Sequence, residues 1–147
     1  MKPVVHLGLL IGLLLPLLLH ADLDAVKNEP NLEKRSKLAL DNAFDALKAA
    51  RTAYGKGDMS QVQSRLTEVR ESVEVAETSL RETGKNPRKS PKWFKRAEIE
   101  TRDLLRQMDA FDRDMNVSDR PMLDPVRAKI QQVHDDLLLG VMEGKNK

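Results

Sequence analysis

Apolar side chains recur along this chain in steps of alternately three and four residues, within four separate segments. An α-helix has 3.6 residues per turn, so this spacing places the side chains on one stripe of a helix. No segment alternates apolar and polar residues in steps of two, so we expect helices and no strands. Positions on the four stripes include Leu40, Leu47 and Tyr54; Met59, Val62, Val69 and Leu80; Phe94, Leu104, Phe111 and Met115; and Leu123, Ile130 and Leu137.

The residues between the stripes are typical of helix ends. Asp58 is suited to cap the second helix, and Gly84 to adopt the left-handed conformation that closes it. Ser90-Pro91 and Asp124-Pro125 each provide a capping side chain and a proline for a first helical turn. Together with the stripes, these residues predict helices over 31–54, 59–83, 91–115 and 121–142.

Four helices of similar length with short links favour an antiparallel arrangement of neighbours. We therefore predict an all-α fold over 31–142. Its form would be an up-down-up-down antiparallel four-helix bundle with coiled-coil-like heptad seams. A strict heptad seam also serves coiled-coil pairing. The alternative is a structural or assembly protein whose helices pair between chains, for example as a homodimer.

The first residues predict export from the cytoplasm. A basic start, Met1-Lys2, precedes an apolar run from Val4 to Leu19, and small Ala21 follows. These are the parts of a secretory signal peptide, and the run is shorter than the roughly 20 residues of a spanning helix. We assign 1–21 to the signal peptide, 22–30 to a short linker and 143–147 to a basic flexible tail. We expect a periplasmic or secreted protein, or an N-terminal membrane anchor if the signal peptide is retained.

Composition and motifs argue against catalysis. The chain has no cysteine, which excludes disulfides and thiolate chemistry. His134 is the only histidine after the signal peptide, and the residue three before it is Gln131 rather than the Glu of a di-iron bundle. No glycine-rich phosphate loop is present. We expect no enzyme activity, no catalytic residues, no metal and no cofactor, with a cofactor-carrying bundle as a remote alternative.

One link concentrates positive charge. The stretch 85–96 reads KNPRKSPKWFKR, with six basic and no acidic residues, and it holds the only tryptophan. Helix N-termini favour acidic side chains, so cations that open the third helix suggest a demand other than stability. The seam position of Phe94 indicates a core residue. The candidate binding residues are Lys85, Arg88, Lys89, Lys92, Trp93, Lys95 and Arg96.

The predicted topology places this link beside the start of the first helix and the C-terminus, at a basic pole. Acidic residues, among them Asp58, Asp109 and Asp119, would collect at the opposite pole. The net charge of +2 does not favour a nucleic acid as partner. We expect a binding or scaffold protein of the cell envelope whose partner is anionic: lipid head groups, an envelope polysaccharide or an acidic protein surface. The alternative is a solvated turn with no partner.

Overall fold

The computed structural model describes residues 21–144. The predicted signal peptide, apart from Ala21, and the last three residues of the predicted tail lie outside this range. The described residues form helices and no strand. These are α1 (Ala21–Lys27), α2 (Leu32–Gly55), α3 (Met59–Glu82), α4 (Pro91–Asp114), a 3-10 helix (Arg120–Leu123) and α5 (Asp124–Glu143).

The all-helical fold is confirmed, and the four long helices lie close to their predicted bounds. Two local differences have physical reasons. Residues 22–30, expected to be a linker, contain all of α1 except Ala21, because Leu23 is buried and Val26 packs on the core. The last helix begins at Asp124 rather than at residue 121, because a 3-10 helix containing Pro121 precedes it. Asp124 is therefore the first helical residue and not a cap.

Three other helix ends have the cap that their residue types favour, and a fourth does not. Asn31 accepts a hydrogen bond from the Lys34 amide at 2.9 Å, and Asp58 accepts one from the Gln61 amide at 3.1 Å. Gly84 adopts the left-handed conformation, with φ of 65°. Ser90 occupies the N-cap of α4, but its side chain makes no capping hydrogen bond. The first amides of α4 are thus left without a side-chain acceptor from Ser90.

The predicted stripes form one buried core between the helices. Leu40, Leu66, Leu104 and Ile130 are each no more than 1% exposed. Met59 is an exception, since it is 37% exposed at the first residue of α3, where no neighbouring helix covers it fully. None of the helices within residues 21–144 combines the length and the apolar character needed to cross a bilayer.

Helices α2 and α3 form a closely packed antiparallel hairpin. Arg35 near the start of α2 pairs with Glu82 at the end of α3 at 3.8 Å. The face of α2 that meets the core is lined by small residues, which allow two helix backbones to approach each other. These buried alanines are Ala39, Ala43, Ala46, Ala50 and Ala53. Because so many side chains are small, α2 and α3 share the most extensive helix contact in the described structure.

Helices α4 and α5 form a second antiparallel hairpin, filled by larger side chains such as Phe94, Met108 and Phe111. The two helices run in opposite directions. Thr101 lies near His134, and Asp109, further along α4, lies near Arg127, which comes earlier in α5. This hairpin packs on the first through α2–α4 and α3–α5 contacts. The consecutive helices α3 and α4 touch each other less than either touches its other long neighbours.

Candidate functional site

Residues 83–90 join the two hairpins and are fixed by one asparagine. The side-chain oxygen of Asn86 accepts hydrogen bonds from the backbone amides of Arg88 at 2.9 Å and Lys89 at 3.3 Å. The backbone carbonyl oxygen of Asn86 accepts hydrogen bonds from the backbone amides of Lys89 and Ser90. An asparagine that bonds to the backbone two residues ahead stabilises a turn. The basic side chains therefore project from an ordered turn.

The turn is also anchored to the core. Pro87 is buried and, with Leu80 of α3 and Phe94 of α4, borders a small cavity that Leu137 and Gly140 of α5 close. The seam assignment of Phe94 is confirmed, since it is 2% exposed. The link, the end of α3, the start of α4 and the end of α5 thus meet at one end of the molecule, as predicted.

Two of the seven predicted site residues are cations that the fold itself neutralises. Lys85 pairs with Glu33 at the start of α2, with 2.6 Å between the ammonium and carboxylate. Arg96 pairs with Glu100 one turn further along α4 at 2.9 Å. These contacts give both side chains a structural role. The Lys85 pair joins residues 52 positions apart, so sequence spacing could not reveal it.

The cations at the start of α2 are neutralised as well. Lys34 pairs with Glu29 at 2.9 Å and Lys37 with Asp41 at 2.6 Å. Arg35 pairs with Glu82 and also donates to the carbonyl oxygen of Glu29 at 2.7 Å. The helix start therefore adds little free positive charge to this end of the molecule.

Four exposed cations of the link and the start of α4 have no acidic partner among residues 21–144: Arg88, Lys89, Lys92 and Lys95. We call these four side chains the basic surface. They span the turn and the first helical turn of α4, where the amides beside Ser90 lack a side-chain cap. Helix dipole and side chains are therefore both positive at this place. The surface is suited to an anionic group.

Trp93, one of the seven predicted site residues, lies partly within the structure. It is half-buried and packs against the core. The ammonium of Lys92 lies 5.2 Å from the centre of its ring, a cation–π contact that directs this cation over the indole. Trp93 thus positions Lys92 within the basic surface.

The last turns of α5 flank the same turn and expose apolar side chains that are not among the predicted site residues. Gly144, which caps the C-terminus of α5, lies close to the turn, since a β-carbon added to it would be 3.1 Å from the Asn86 side-chain oxygen and 3.2 Å from the Arg88 β-carbon. Leu137 and Gly140 face inward, while Leu138, Leu139 and Met142 are 39%, 40% and 64% exposed. The run of three leucines at 137–139 was the available indication, because a helix can turn only part of such a run inward.

The opposite end carries the predicted acidic residues, but most are paired. Arg127 lies within salt-bridge distance of Asp109, Asp112 and Asp124. Asp114 pairs with Arg51. Asp119 accepts a hydrogen bond from the Tyr54 hydroxyl at 2.8 Å. Lys56 and Arg113 at this end are also exposed without an acidic partner among residues 21–144, so the basic surface is distinguished by having four such cations within eight residues.

His134 lies on the flank of the core, between α5 and α4. Its Nδ1 is 3.4 Å from the Thr101 hydroxyl and 3.3 Å from the Glu98 carbonyl oxygen. The Glu98 carboxylate is 3.8 Å away. These neighbours join α4 to α5, and within residues 21–144 no group of three His, Asp or Glu side chains is arranged to hold a metal ion.

Comparison with protein-family models, curated protein sequences and solved structures finds no match for this chain.

Proposed function

We propose that this protein is an exported, non-enzymatic helical bundle that binds an anionic partner of the cell envelope through its basic surface. The observation that carries the proposal is the selective pairing of charge at one end of the fold. The surrounding cations have acidic partners, whereas Arg88, Lys89, Lys92 and Lys95 have none among residues 21–144.

Electrostatics explains why this arrangement favours a partner. Four like charges within eight residues repel one another, and those on α4 also oppose its dipole. A bound anion would relieve both effects. Near an anionic leaflet, each exposed cation contributes about 1 kcal/mol to binding. Attraction of this kind weakens as salt rises, because the Debye length falls to about 8 Å at physiological ionic strength.

The proposed architecture is an up-down-up-down four-helix bundle with coiled-coil-like seams. The alternating directions within the two hairpins support it. A pair between Arg51 near the end of α2 and Asp114 at the end of α4 supports a parallel relation of those helices. Residues 83–90 would then cross from one hairpin to the other, which explains the scant contact between α3 and α4.

Export is proposed from the N-terminal sequence alone. The test is fractionation of the host cells, followed by sequencing of the mature N-terminus. A chain that starts after Ala21 in the exported fraction supports the proposal. A chain that accumulates in the cytoplasm with residues 1–21 attached would contradict it.

Binding is tested with a charge reversal, Lys89→Glu/Lys92→Glu/Lys95→Glu. The control is Lys48→Glu/Lys56→Glu/Arg113→Glu, which makes the same change in net charge at exposed cations away from the turn. Two probes are used: vesicles of phosphatidylglycerol and phosphatidylcholine in equal parts, and a dextran sulfate matrix.

We expect the charge reversal to weaken binding to at least one probe about a hundredfold, given about 1 kcal/mol for each cation. The control should bind within a few fold of the wild type at each salt concentration. Equal loss in both variants would show that only net charge matters, and the proposed site would be wrong.

A further inference from the structure

We infer that the basic surface binds an anionic lipid bilayer, with Leu138, Leu139 and Met142 entering the head-group region. This inference rests on the proposed function and specifies the partner. Its basis is the placement of three exposed apolar side chains of α5 at the same end of the fold as the unpaired cations. A polysaccharide or an acidic protein surface uses the cations, but only a bilayer also provides an apolar phase beneath its anionic groups.

The apolar residues and the cations belong to one end of the fold. Leu137 and Gly140 border the same cavity as Pro87 of the turn. Leu138 and Leu139 lie within this helical turn, and Met142 follows one turn later. His134 of α5 lies beside Glu98 of α4, and in this antiparallel pair Leu138 comes one turn after His134 while Lys95 comes one turn before Glu98. Leu138 and Lys95 therefore lie on the same side of the α4–α5 pair, at one end of the fold.

The exposure of these residues is a property of the helix and not of a disordered end. The backbone amide of Gly144 donates to the Gly140 carbonyl oxygen at 2.8 Å, which closes the last turn of α5. Leu137 is 6% exposed, so the rotation of α5 is fixed by its inward face. Its outward face then presents Leu138, Leu139 and Met142 as a rigid apolar surface.

A surface that carries both cations and exposed apolar side chains is complementary to the edge of an anionic bilayer, where charged head groups lie above an apolar layer. Cations attract the protein to the leaflet, and apolar side chains then enter the boundary between head groups and acyl chains. Lys and Arg can bury their methylene stems while their charges stay among the phosphates. Binding should accordingly need both kinds of side chain.

The test places a fluorophore at single cysteines of the full chain, which has no native cysteine. Met142→Cys, labelled with an environment-sensitive nitrobenzoxadiazole, reports on the proposed apolar surface. Val117→Cys is the control, because Val117 is 76% exposed beyond the far end of α4, about 36 Å from its start. A local label reads insertion at its own position, even if residues 1–21 also anchor the chain.

Vesicles of phosphatidylglycerol and phosphatidylcholine should shift the emission of the Met142→Cys label to shorter wavelength. Lipids with nitroxides on the acyl chain should quench it. The Val117→Cys label should show neither effect. The charge reversal Lys89→Glu/Lys92→Glu/Lys95→Glu, combined with Met142→Cys, should abolish the response, as should vesicles of phosphatidylcholine alone.

A second variant separates the apolar contribution from the charge. Leu138→Gln/Leu139→Gln/Met142→Gln should weaken the part of vesicle binding that depends on anionic lipid by about tenfold, from the apolar area it removes. It should elute from dextran sulfate at the same salt as the wild type. Because all three side chains are exposed, circular dichroism should show an unchanged helical fold. The single substitution Met142→Gln provides a milder variant.

The outcomes distinguish the two proposals. If charge reversal weakens binding but the Met142→Cys label never responds, the basic surface stands and the bilayer inference fails. Charge-dependent binding to dextran sulfate without any to anionic vesicles would assign the surface to a polysaccharide and also overturn the inference. If charge reversal changes binding to neither probe, both proposals fail.

Discussion

The side-chain amide of Asn42 on α2 donates a hydrogen bond of 2.9 Å to the hydroxyl of Ser72 on α3, and both residues are buried. The same amide donates to Glu68 at 3.1 Å, and Arg65 donates to the other oxygen of Glu68 at 2.8 Å. This network lies beside an interface of small apolar residues. Since sliding one helix along the other would break it, the network fixes the register of the hairpin.

Removal of the Asn42 amide should therefore destabilise the fold. We expect Asn42→Ala to lower the free energy of unfolding by about 1–3 kcal/mol, because Ser72 loses its partner in a buried place. Urea unfolding measures the change. Thr67→Ala, a substitution at an exposed position of α3, should change the free energy of unfolding by no more than about 0.5 kcal/mol. An equally small effect of Asn42→Ala would show that the network does not contribute to stability.

Tyr54 joins the end of α2 to the loop after α4. Its hydroxyl donates to Asp119 and accepts from the Asn116 amide, each at 2.8 Å, while its ring packs edge-on against Phe111 at 5.8 Å. Tyr54→Phe keeps the ring and removes both hydrogen bonds. We expect a loss of about 1–2 kcal/mol.

The same variant should be cleaved faster by proteases between residues 115 and 120, because the loop is released locally. Thr52→Ala, an exposed change on the same helix, should leave the cleavage rate unaltered. Unchanged cleavage in Tyr54→Phe would mean that Asp119 and Asn116 are held by other contacts.

Two glycines with similar backbone angles make a matched pair. Gly144 has φ of 76° and Gly57 has φ of 72°. A β-carbon at Gly144 would lie 3.1 Å from the Asn86 oxygen and 3.2 Å from the Arg88 β-carbon, whereas one at Gly57 would meet nothing within 4 Å. Gly57→Ala should cost about 1–2 kcal/mol from conformation alone.

Gly144→Ala adds close contacts with Asn86 and Arg88, so its distinctive effect should be local. We expect faster amide hydrogen exchange in residues 86–90 and at the end of α5 in Gly144→Ala than in Gly57→Ala. Identical exchange in the two variants at residues 86–90 would show that α5 does not pack on the turn in solution.

Glu29 should make the stability of the N-terminal region depend on pH. The hydrogen bond from Lys34 and then that from the Asn31 amide lower the pKa of Glu29 below its ordinary value of 4.5. A group with a lowered folded-state pKa stabilises the fold above the ordinary pKa, and this contribution disappears as the pH falls through the folded-state pKa.

Wild-type protein should therefore unfold at a higher temperature than Glu29→Gln at neutral pH, and the difference should vanish in acid. Glu143→Gln, at an exposed carboxylate without an ion pair in the described chain, should follow the wild type throughout. A difference between wild type and Glu29→Gln that does not depend on pH would contradict this assignment.

Much of the fold was predictable because periodicity reports which side of a helix is buried. Leu66 and Leu104 follow the spacing, and both are fully buried. Short α1 was not predictable, because helices this short depend on tertiary contacts. Leu23 is buried where α1 packs on α2 and α3.

The site was predictable as a location but not in its details. The clustering of cations at 85–96 is visible in the sequence. Which of them are neutralised depends on pairs such as Lys85–Glu33, which form only when distant helices meet. The exposure of Leu138 likewise depends on how α5 rotates to bury Leu137. The local sequence pattern identified the charged turn. Only the tertiary structure shows which of its cations have acidic partners and which have none.

The alanine-lined contact between α2 and α3 implies that the two halves of the core tolerate evolutionary change in opposite directions. At Ala43 or Ala50, which are fully buried, even one added methyl group would force the paired backbones apart. At Phe111 or Leu104 of the other hairpin, harm would come from shrinkage, which leaves a void. Sequence drift in this protein should therefore exclude larger residues from one half of its core and smaller ones from the other.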